Sequence, residues 1–172
     1  MLTGRKKNAA SGSYEIFNQP FSQFFRTDID LRHSFPVNNT DNIVGRVFGG
    51  LVIPYKNSKI VPIERQYFSG GSNGIRAWNP YKLGPGAYYD GALNYQTGDI
   101  KLEANLEYRY KLFWILESAI FVDAGNVWTY KDTSRANGKF MATEFLEQIG
   151  CGNMGLVCGS IFLFLSLGSI TA

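Results

Sequence analysis

The chain lacks several features that define common functional classes. It has no run of about 18 apolar residues, so no transmembrane helix is predicted. With one histidine, two cysteines and no spacing typical of metal ligands, it offers no metal site. It also contains neither a Gly-x-Ser-x-Gly motif nor a phosphate-binding loop. We therefore expect neither an enzyme nor a bound cofactor.

Charge is also scarce. Charged residues make up 18% of the chain, and the net charge of +3 is too small to indicate a nucleic-acid partner. The first residues, Met1–Lys7, do not form a signal peptide, which counts against a complete exported protein but not against a piece of one. Aromatic residues are frequent at 15%, and 19 glycines are present, which suits β-structure with many turns.

The most informative segment is Gly98–Lys111, where polar and apolar residues alternate. From Asp99 to Leu112 every odd position is polar and every even position is apolar. Because side chains on a strand point alternately to two faces, the segment predicts one charged and one apolar face. Soluble strands usually have about 5–6 residues, whereas a tilted strand crosses a bilayer with about 9–11. The pattern favours a transmembrane strand, and the alternative is a soluble sheet with one wet face.

Four segments are predicted to be strands of one antiparallel meander: 22–35, 43–54, 98–112 and 115–130. Their connections alternate in length, short at 36–42 and near Phe113 but long at 54–97 and 131–139, as in outer-membrane barrels. The sequence thus predicts an all-β fold, a partial transmembrane β-barrel with the 54–97 loop on its concave side. On the third strand the expected orientation is outward for Ile100, Leu102 and Leu106, and inward for Lys101, Glu103 and Glu107.

Aromatic residues flank the fourth predicted strand, with Trp114 before it and Trp128 and Tyr130 at its end. Outer-membrane barrels carry girdles of aromatic side chains at both membrane interfaces. Together these three residues favour an interfacial girdle, whereas for any one of them the ordinary preference of aromatic residues for strands is the commoner explanation.

The segment Gln66–Trp78 resembles the loop motif of the Omp85 superfamily, the bacterial surface antigen D15 class. There, Phe-x-Gly-Gly-x-x-x-(Val/Ile)-Arg-Gly-(Phe/Tyr) folds back into the barrel. The matching residues are Phe68, Gly70, Gly71, Ile75 and Arg76, whereas Ala77 and Trp78 stand where the family has Gly and Phe or Tyr. Leu106–Tyr110 and Phe121–Trp128 resemble the two strands that follow in the family. The resemblance covers about residues 14–147 and is closest to a TamA-like or BamA-like branch of Bacteroidetes.

The resemblance implies about five strands of a sixteen-stranded barrel in the bacterial outer membrane. Such proteins insert or translocate other outer-membrane proteins without a cofactor, by opening a lateral seam. The expected partners are the outer-membrane lipid bilayer, client outer-membrane proteins and other subunits of an assembly machine, with no nucleic acid. An open sheet in lipid leaves unpaired strand edges, so the chain alone is expected to be inactive.

The loop motif also has a chemical interpretation. A guanidinium on a loop inside a barrel needs carboxylate partners, because an unpaired buried charge is costly. Glu107 and Asp123 lie on the polar registers of neighbouring strands, and the planar fork of Arg76 can bond both. We therefore predict an Arg76–Glu107–Asp123 cluster that fixes the loop to the wall. Gly70 and Gly71 would permit unusual backbone angles and close approach; the alternative is three unrelated surface charges.

The last 25 residues differ from the rest, because 148–172 contain no charged residue and both cysteines. We divide the chain into a barrel piece, 1–147, and this anomalous tail. Codons for Leu156–Phe162, read one base earlier, can encode the Gly-Leu-Arg-Phe-Asp-Phe strand expected next. This predicts a frameshift near 148–155, and the alternatives are a divergent buried strand or a disordered tail.

Three other functions remain open. One is a passive outer-membrane porin or transporter in which the 54–97 loop forms a constriction. The second is the barrel anchor of a secreted phospholipase-like protein, whose catalytic domain would lie upstream. The third is a soluble β-sandwich binding module, which would not depend on detergent.

Overall fold

The computed structural model describes residues 6–7, 12–17, 19–76, 78–88, 95–113, 116–131, 134–135, 137–141 and 162–165. Within these residues the strands are β1 (Lys6–Lys7), β2 (Tyr14–Ile16), β3 (Gln19–Pro20), β4 (Phe24–Pro36), β5 (Asn42–Pro54), β6 (Ile100–Phe113), β7 (Leu116–Trp128) and β8 (Phe162–Leu165). A single 3-10 turn covers Ile63–Arg65. The described part of the chain holds no helix that is long and apolar enough to cross a membrane.

The main sheet has five antiparallel strands in the order β4-β5-β6-β7-β8. The predicted meander is confirmed, and each end of the four predicted strands lies within two residues of its expected position. The turn between β4 and β5 closes locally: the Val37 amide donates to the Asp41 carbonyl at 2.9 Å, and the Thr40 hydroxyl to the Asp41 carboxylate at 2.9 Å. Short polar residues of this kind stabilise tight turns. The all-β, partial-barrel fold class predicted from the sequence is therefore correct.

One face of this sheet, the apolar face, carries exposed apolar side chains on several strands. Ile29, Leu31, Val47 and Leu106 are each 55–65% exposed. In register, Leu106 lies opposite Gly45, and the adjacent even positions of β6 lie on the same face, as expected. An apolar surface of this extent in a protein marks contact with another molecule or with lipid.

The opposite, polar face carries the charged side chains and is covered by the long connection, residues 55–99, between β5 and β6. The hydrophobic core lies here, between sheet and connection, and consists of Val52, Val61, Tyr67 and Val127. Phe48 packs against this cluster from the partly buried rim. The expected inward orientation of Lys101, Glu103 and Glu107 is confirmed by their contacts with the connection.

The expectation for Trp128 is wrong. Its side chain is fully buried and meets the Phe140 ring edge-on, with centroids 5.4 Å apart. The Thr129 amide donates to the Gly138 carbonyl at 2.8 Å, so the segment 137–141 folds back over the indole. Tyr130 is 41% exposed. Trp114 lies outside the described residues.

Two further features frame the sheet. The short strands β1, β2 and β3 form a separate antiparallel ribbon, tied to the start of the long connection by a 2.8 Å bond from the Tyr14 amide to Asn57 Oδ1. At the other end, β8 pairs with the start of β7 and supplies the fifth strand. Residues 142–161 and 166–172, including the predicted frameshift at 148–155, lie outside the described residues, so the interpretation of the tail stays a prediction.

Candidate functional site

The long connection is closed by hydrogen bonds at its base, which consists of residues 66–67 and 98–99. The Tyr67 amide donates to the Gly98 carbonyl and the Gly98 amide to the Tyr67 carbonyl, both at 2.8 Å. The Asp99 carboxylate accepts from Gln66 Nε2 at 3.2 Å and from the Tyr130 amide at 3.0 Å. These bonds join residues 66–67 to residues 98–99, so the part of the connection between them, which carries the motif, forms a closed loop.

The glycine pair of the motif shapes the tip of the connection, residues 70–76. Gly70 and Gly71 have φ of +95° and +88°, in the left-handed region that favours glycine. A Cβ at Gly70 would lie 2.4 Å from the Asn79 carbonyl oxygen, and the Gly71 amide donates to the Trp78 carbonyl at 2.7 Å. The result is a tight loop that carries Arg76 to the polar face. Ala77 lies outside the described residues.

The apolar residues of the motif occupy different environments. Ile75 is fully buried beneath the tip, whereas Phe68 is 38% exposed. The Phe68 ring stacks on Tyr81 of the same connection, with centroids 4.1 Å apart. Trp78 is half-buried. Ile75 is therefore enclosed by the fold, whereas Phe68 packs on another residue of the connection itself.

Arg76 is brought together with both expected carboxylates. Its Nε and Nη2 donate to the two oxygens of Asp123 at 2.8 and 2.9 Å, and its amide donates to Asp123 Oδ2 at 3.1 Å. Its Nη1 donates to Glu107 Oε2 at 2.7 Å. The Asp123 side chain is fully buried, and those of Glu107 and Arg76 are 17% and 23% exposed. One guanidinium thus bridges β6 and β7.

Neighbouring groups complete this cluster. The Phe121 ring lies under the guanidinium, 3.4 Å from Cζ, and Asn105 Nδ2 donates to Asp123 Oδ1 at 2.8 Å and to the Gly74 carbonyl at 2.9 Å. The hydrogen bonds with Asp123 raise the pKa of Arg76, its partial burial opposes the rise, and the Glu107 hydrogen bond adds to it. The guanidinium therefore stays charged, and the buried carboxylate has the paired donors that it needs.

A second set of contacts on the same connection was missed from the sequence. Glu103, 2% exposed, accepts from the Ser69 hydroxyl at 2.6 Å and lies 2.9 Å from Lys101 Nζ. Arg46 Nη1 donates to the Asn73 carbonyl at 2.7 Å. The alternation on β5 and β6 places Arg46 and Glu103 on the polar face, but their partners depend on the path of the connection. No sequence signal identifies Ser69 or Asn73.

Tyr67 forms a third contact, at the base. Its hydroxyl donates to the Asp28 carboxylate, and the Arg26 guanidinium lies over its ring at 4.3 Å from the centroid. Burial, and then the Asp28 hydrogen bond, raise the pKa of Tyr67. Gly50 is required beneath it, because a Cβ there would lie 2.7 Å from the ring. The absence of a side chain on β5 thus creates the place where the tyrosine packs.

The arrangement is suited to holding a segment in place. Within the described ranges, no group of three or more His, Cys, Asp or Glu side chains could hold a metal ion. The charged groups of the site are paired with one another, and their donors and acceptors join the connection to four strands: β4, β5, β6 and β7. Chemically, the site can fix a loop and resist its withdrawal.

The comparison with protein families agrees with the motif. The family model of the Omp85 superfamily domain matches residues 4–156, which include the four long strands and the whole connection. No curated protein matches the chain.

Proposed function

Because the chain belongs to the Omp85 superfamily, whose members insert or translocate proteins in the bacterial outer membrane, we propose that it forms part of the barrel wall of an assembly factor. In this proposal its apolar face contacts the outer-membrane lipid bilayer and its polar face lines the lumen. The clients are other outer-membrane proteins, handled without a catalysed reaction. A TamA-like or BamA-like factor with sixteen strands is the form of the family that the motif resembles.

The observation that supports this proposal best is the docking of the Arg76 loop on the polar face. A soluble sheet would place its core against the apolar face, but here the apolar face is exposed and the core lies beneath the connection. A barrel in lipid has this arrangement, with apolar side chains outside and polar ones in the lumen. The bridged carboxylates of β6 and β7 then brace one part of the wall.

The brace has a mechanical consequence in the proposed function. Two strands and the connection are held by one guanidinium, so this part of the wall moves as a unit. We infer that bending needed to admit a client strand is thereby confined to other parts of the barrel. A loop that detached would remove this restraint and leave the lumen open.

The test is Arg76→Ala in the outer-membrane protein that carries this chain. Loss of Arg76 leaves the buried Asp123 without its main partner, and breaking a buried pair costs about 3–5 kcal/mol. We expect the connection to become protease-sensitive and client insertion into vesicles to fall. Arg76→Lys should rescue poorly, since a point charge cannot bond two carboxylates as the fork does.

Arg65→Ala is the matched control, because Arg65 is an exposed arginine of the same connection. It should leave both protease protection and insertion unchanged. Full protection and full insertion in Arg76→Ala would contradict the proposed brace. A passive porin or transporter, or the barrel anchor of a phospholipase-like protein, would then explain the chain better.

A further inference from the structure

Two arginines on the polar face remain largely in solvent although each contacts a carboxylate. The Arg32 side chain is 67% exposed and that of Arg109 is 57% exposed. Arg32 donates from Nε and Nη2 to Asp30 at 3.2 and 2.9 Å, and Arg109 donates from Nε to Glu107 at 2.7 Å. A guanidinium has five N–H donors, so each arginine keeps donors beyond those used here.

Each of these carboxylates is also bonded by a second arginine that holds the connection. Asp30 accepts from Arg46 at 3.0 and 3.1 Å, and Glu107 accepts from Arg76 at 2.7 Å. These two inner arginines are only 19% and 23% exposed. Both carboxylates thus already accept hydrogen bonds from an inner arginine, and Arg32 and Arg109 are the more exposed of the two arginines on each carboxylate.

All four arginines line one cavity of about 370 Å³. Its other lining includes Val44 and the tip residues Ser72 to Gly74. Glu107 is the one carboxylate in this lining, because Asp30, Glu103 and Asp123 contact the arginines from outside it. The inner guanidinium groups are thus paired with carboxylates behind the lining, and the cavity presents the remaining N–H donors of the exposed Arg32 and Arg109 beside one carboxylate.

We propose that this cavity binds the carboxylate groups of an acidic, extended polypeptide segment, with Arg32 and Arg109 as the recognising residues. The proposal rests on the proposed function, in which polypeptides pass this face. A planar guanidinium fork matches a carboxylate in shape and charge. The cavity is far larger than the roughly 30 Å³ that a water molecule occupies in the liquid, so it can admit a side chain with its carboxylate.

The position of the cavity favours a polypeptide over a lipid headgroup. It opens on the polar face, whereas lipid contacts the opposite face in the proposed function. Arg109 lies opposite Asn42, directly beside the short turn that joins β4 to β5. In outer-membrane barrels the short turns face the periplasm. The cavity would thus meet a polypeptide that arrives from the periplasm.

The test measures fluorescence anisotropy of a labelled peptide of alternating Glu and Ser, with the outer-membrane protein that carries this chain purified in detergent micelles at low salt. We expect the Glu peptide to bind and its Gln counterpart to bind much more weakly. Arg32→Gln combined with Arg109→Gln should raise the Kd of the Glu peptide about tenfold or more, because charge-assisted hydrogen bonds are lost.

The control is Lys59→Gln combined with Arg65→Gln, which removes the same charge from exposed positions outside the cavity. It should change the Kd by less than about twofold, since exposed charges contribute little. Arg32→Lys with Arg109→Lys keeps the charge but not the fork, and should give an intermediate Kd. Protease protection of the connection verifies that each variant is folded.

Equal weakening by the two Gln double variants would overturn the proposal, because general electrostatic attraction would then suffice. It would also be overturned if the Glu peptide failed to bind the protected wild-type chain, or if inorganic phosphate displaced that peptide better than free glutamate does. The assay needs no insertion activity. If Arg76→Ala keeps full protection and insertion while the Glu peptide binds the wild type, the brace is refuted and this inference stands. If Arg76→Ala loses both but the Glu peptide does not bind the wild type, this inference alone is refuted.

Discussion

The tip and the base of the long connection are held to the same sheet by different forces. At the tip, Arg76 and Asp123 form a charge network with Glu107 in which one carboxylate is fully buried. At the base, Tyr67 packs with Val52, Val61 and Val127 in the hydrophobic core. Apolar burial stabilises whatever shape fits, whereas a buried ion pair tolerates few alternatives because an unpaired charge is so costly. The base therefore contributes mainly to the stability of the docked connection, whereas the tip determines where the connection lies on the sheet.

The largest expected effect is at the tip, from Asp123→Ala. Arg76 would lose two bonds of its fork and Asn105 an acceptor, at a cost of about 3–5 kcal/mol in the free energy of unfolding, less where water reaches the site. Denaturant unfolding of the outer-membrane protein that carries this chain, in micelles, measures this loss. In a double-mutant cycle with Arg76→Ala the two losses should be strongly non-additive. Simple addition would show that the pair is not coupled.

The next effect is at the base, from Gly50→Ala. The added methyl group would overlap the Tyr67 ring, and overpacking of this kind costs about 1–3 kcal/mol. The unfolding midpoint should fall, and protease should cut near Tyr67. In a Tyr67→Ala background the same substitution should cost almost nothing. A cost that persists there would mean that Gly50 is needed for its own backbone rather than for the tyrosine.

A smaller effect is expected from Tyr67→Phe, which keeps the ring in the core but removes its hydrogen bond to Asp28. A bond to a charged group contributes about 1.5–3 kcal/mol, and the partial exposure of Asp28 places the loss at the lower end. Unfolding should remain cooperative with an unchanged denaturant slope. If the loss matches that of Tyr67→Ala, the base depends on polar contacts and the contrast with the tip disappears.

The smallest effect is expected from Arg109→Gln. Arg109 shares Glu107 with Arg76 but is 57% exposed, and exposed ion pairs contribute about 0–1 kcal/mol. The unfolding midpoint should barely move, and the connection should keep its protease protection. A loss of stability as large as that of Asp123→Ala would show that Arg109, despite its exposure, contributes as much as the less exposed Arg76.

Much of this structure could be predicted from local sequence patterns, whereas the rest depends on the path of the long connection through space. The alternation through Lys101 and Leu102 predicts strand and faces, because a period of two depends only on neighbouring residues. The contacts of Arg76 could be anticipated since both carboxylates lie on the polar register, but its role as a brace stays a prediction. The hydrogen bond between Ser69 and Glu103 could not be predicted, because no local periodicity of the sequence indicates the path of the connection.

Two errors have equally specific causes. Trp128 continues the strand pattern, but the segment 137–141 folds back over it, and no alternation signals that return. The ribbon β1–β3 was not predicted because its strands have two or three residues, too few to show a period. The tertiary contacts of a terminal or returning segment can override what its residues indicate alone.

The opposed residues Asn105 and Asp123, with Glu107 further along β6, make docking of the tip depend on how β6 and β7 are paired. A slip of one residue between β6 and β7 would turn one strand's carboxylate towards the apolar face, because side chains alternate between faces. Arg76 could then reach only one of its two partners. The connection can dock fully only on a correctly paired hairpin, so a fully docked Arg76 reports that β6 and β7 are in register.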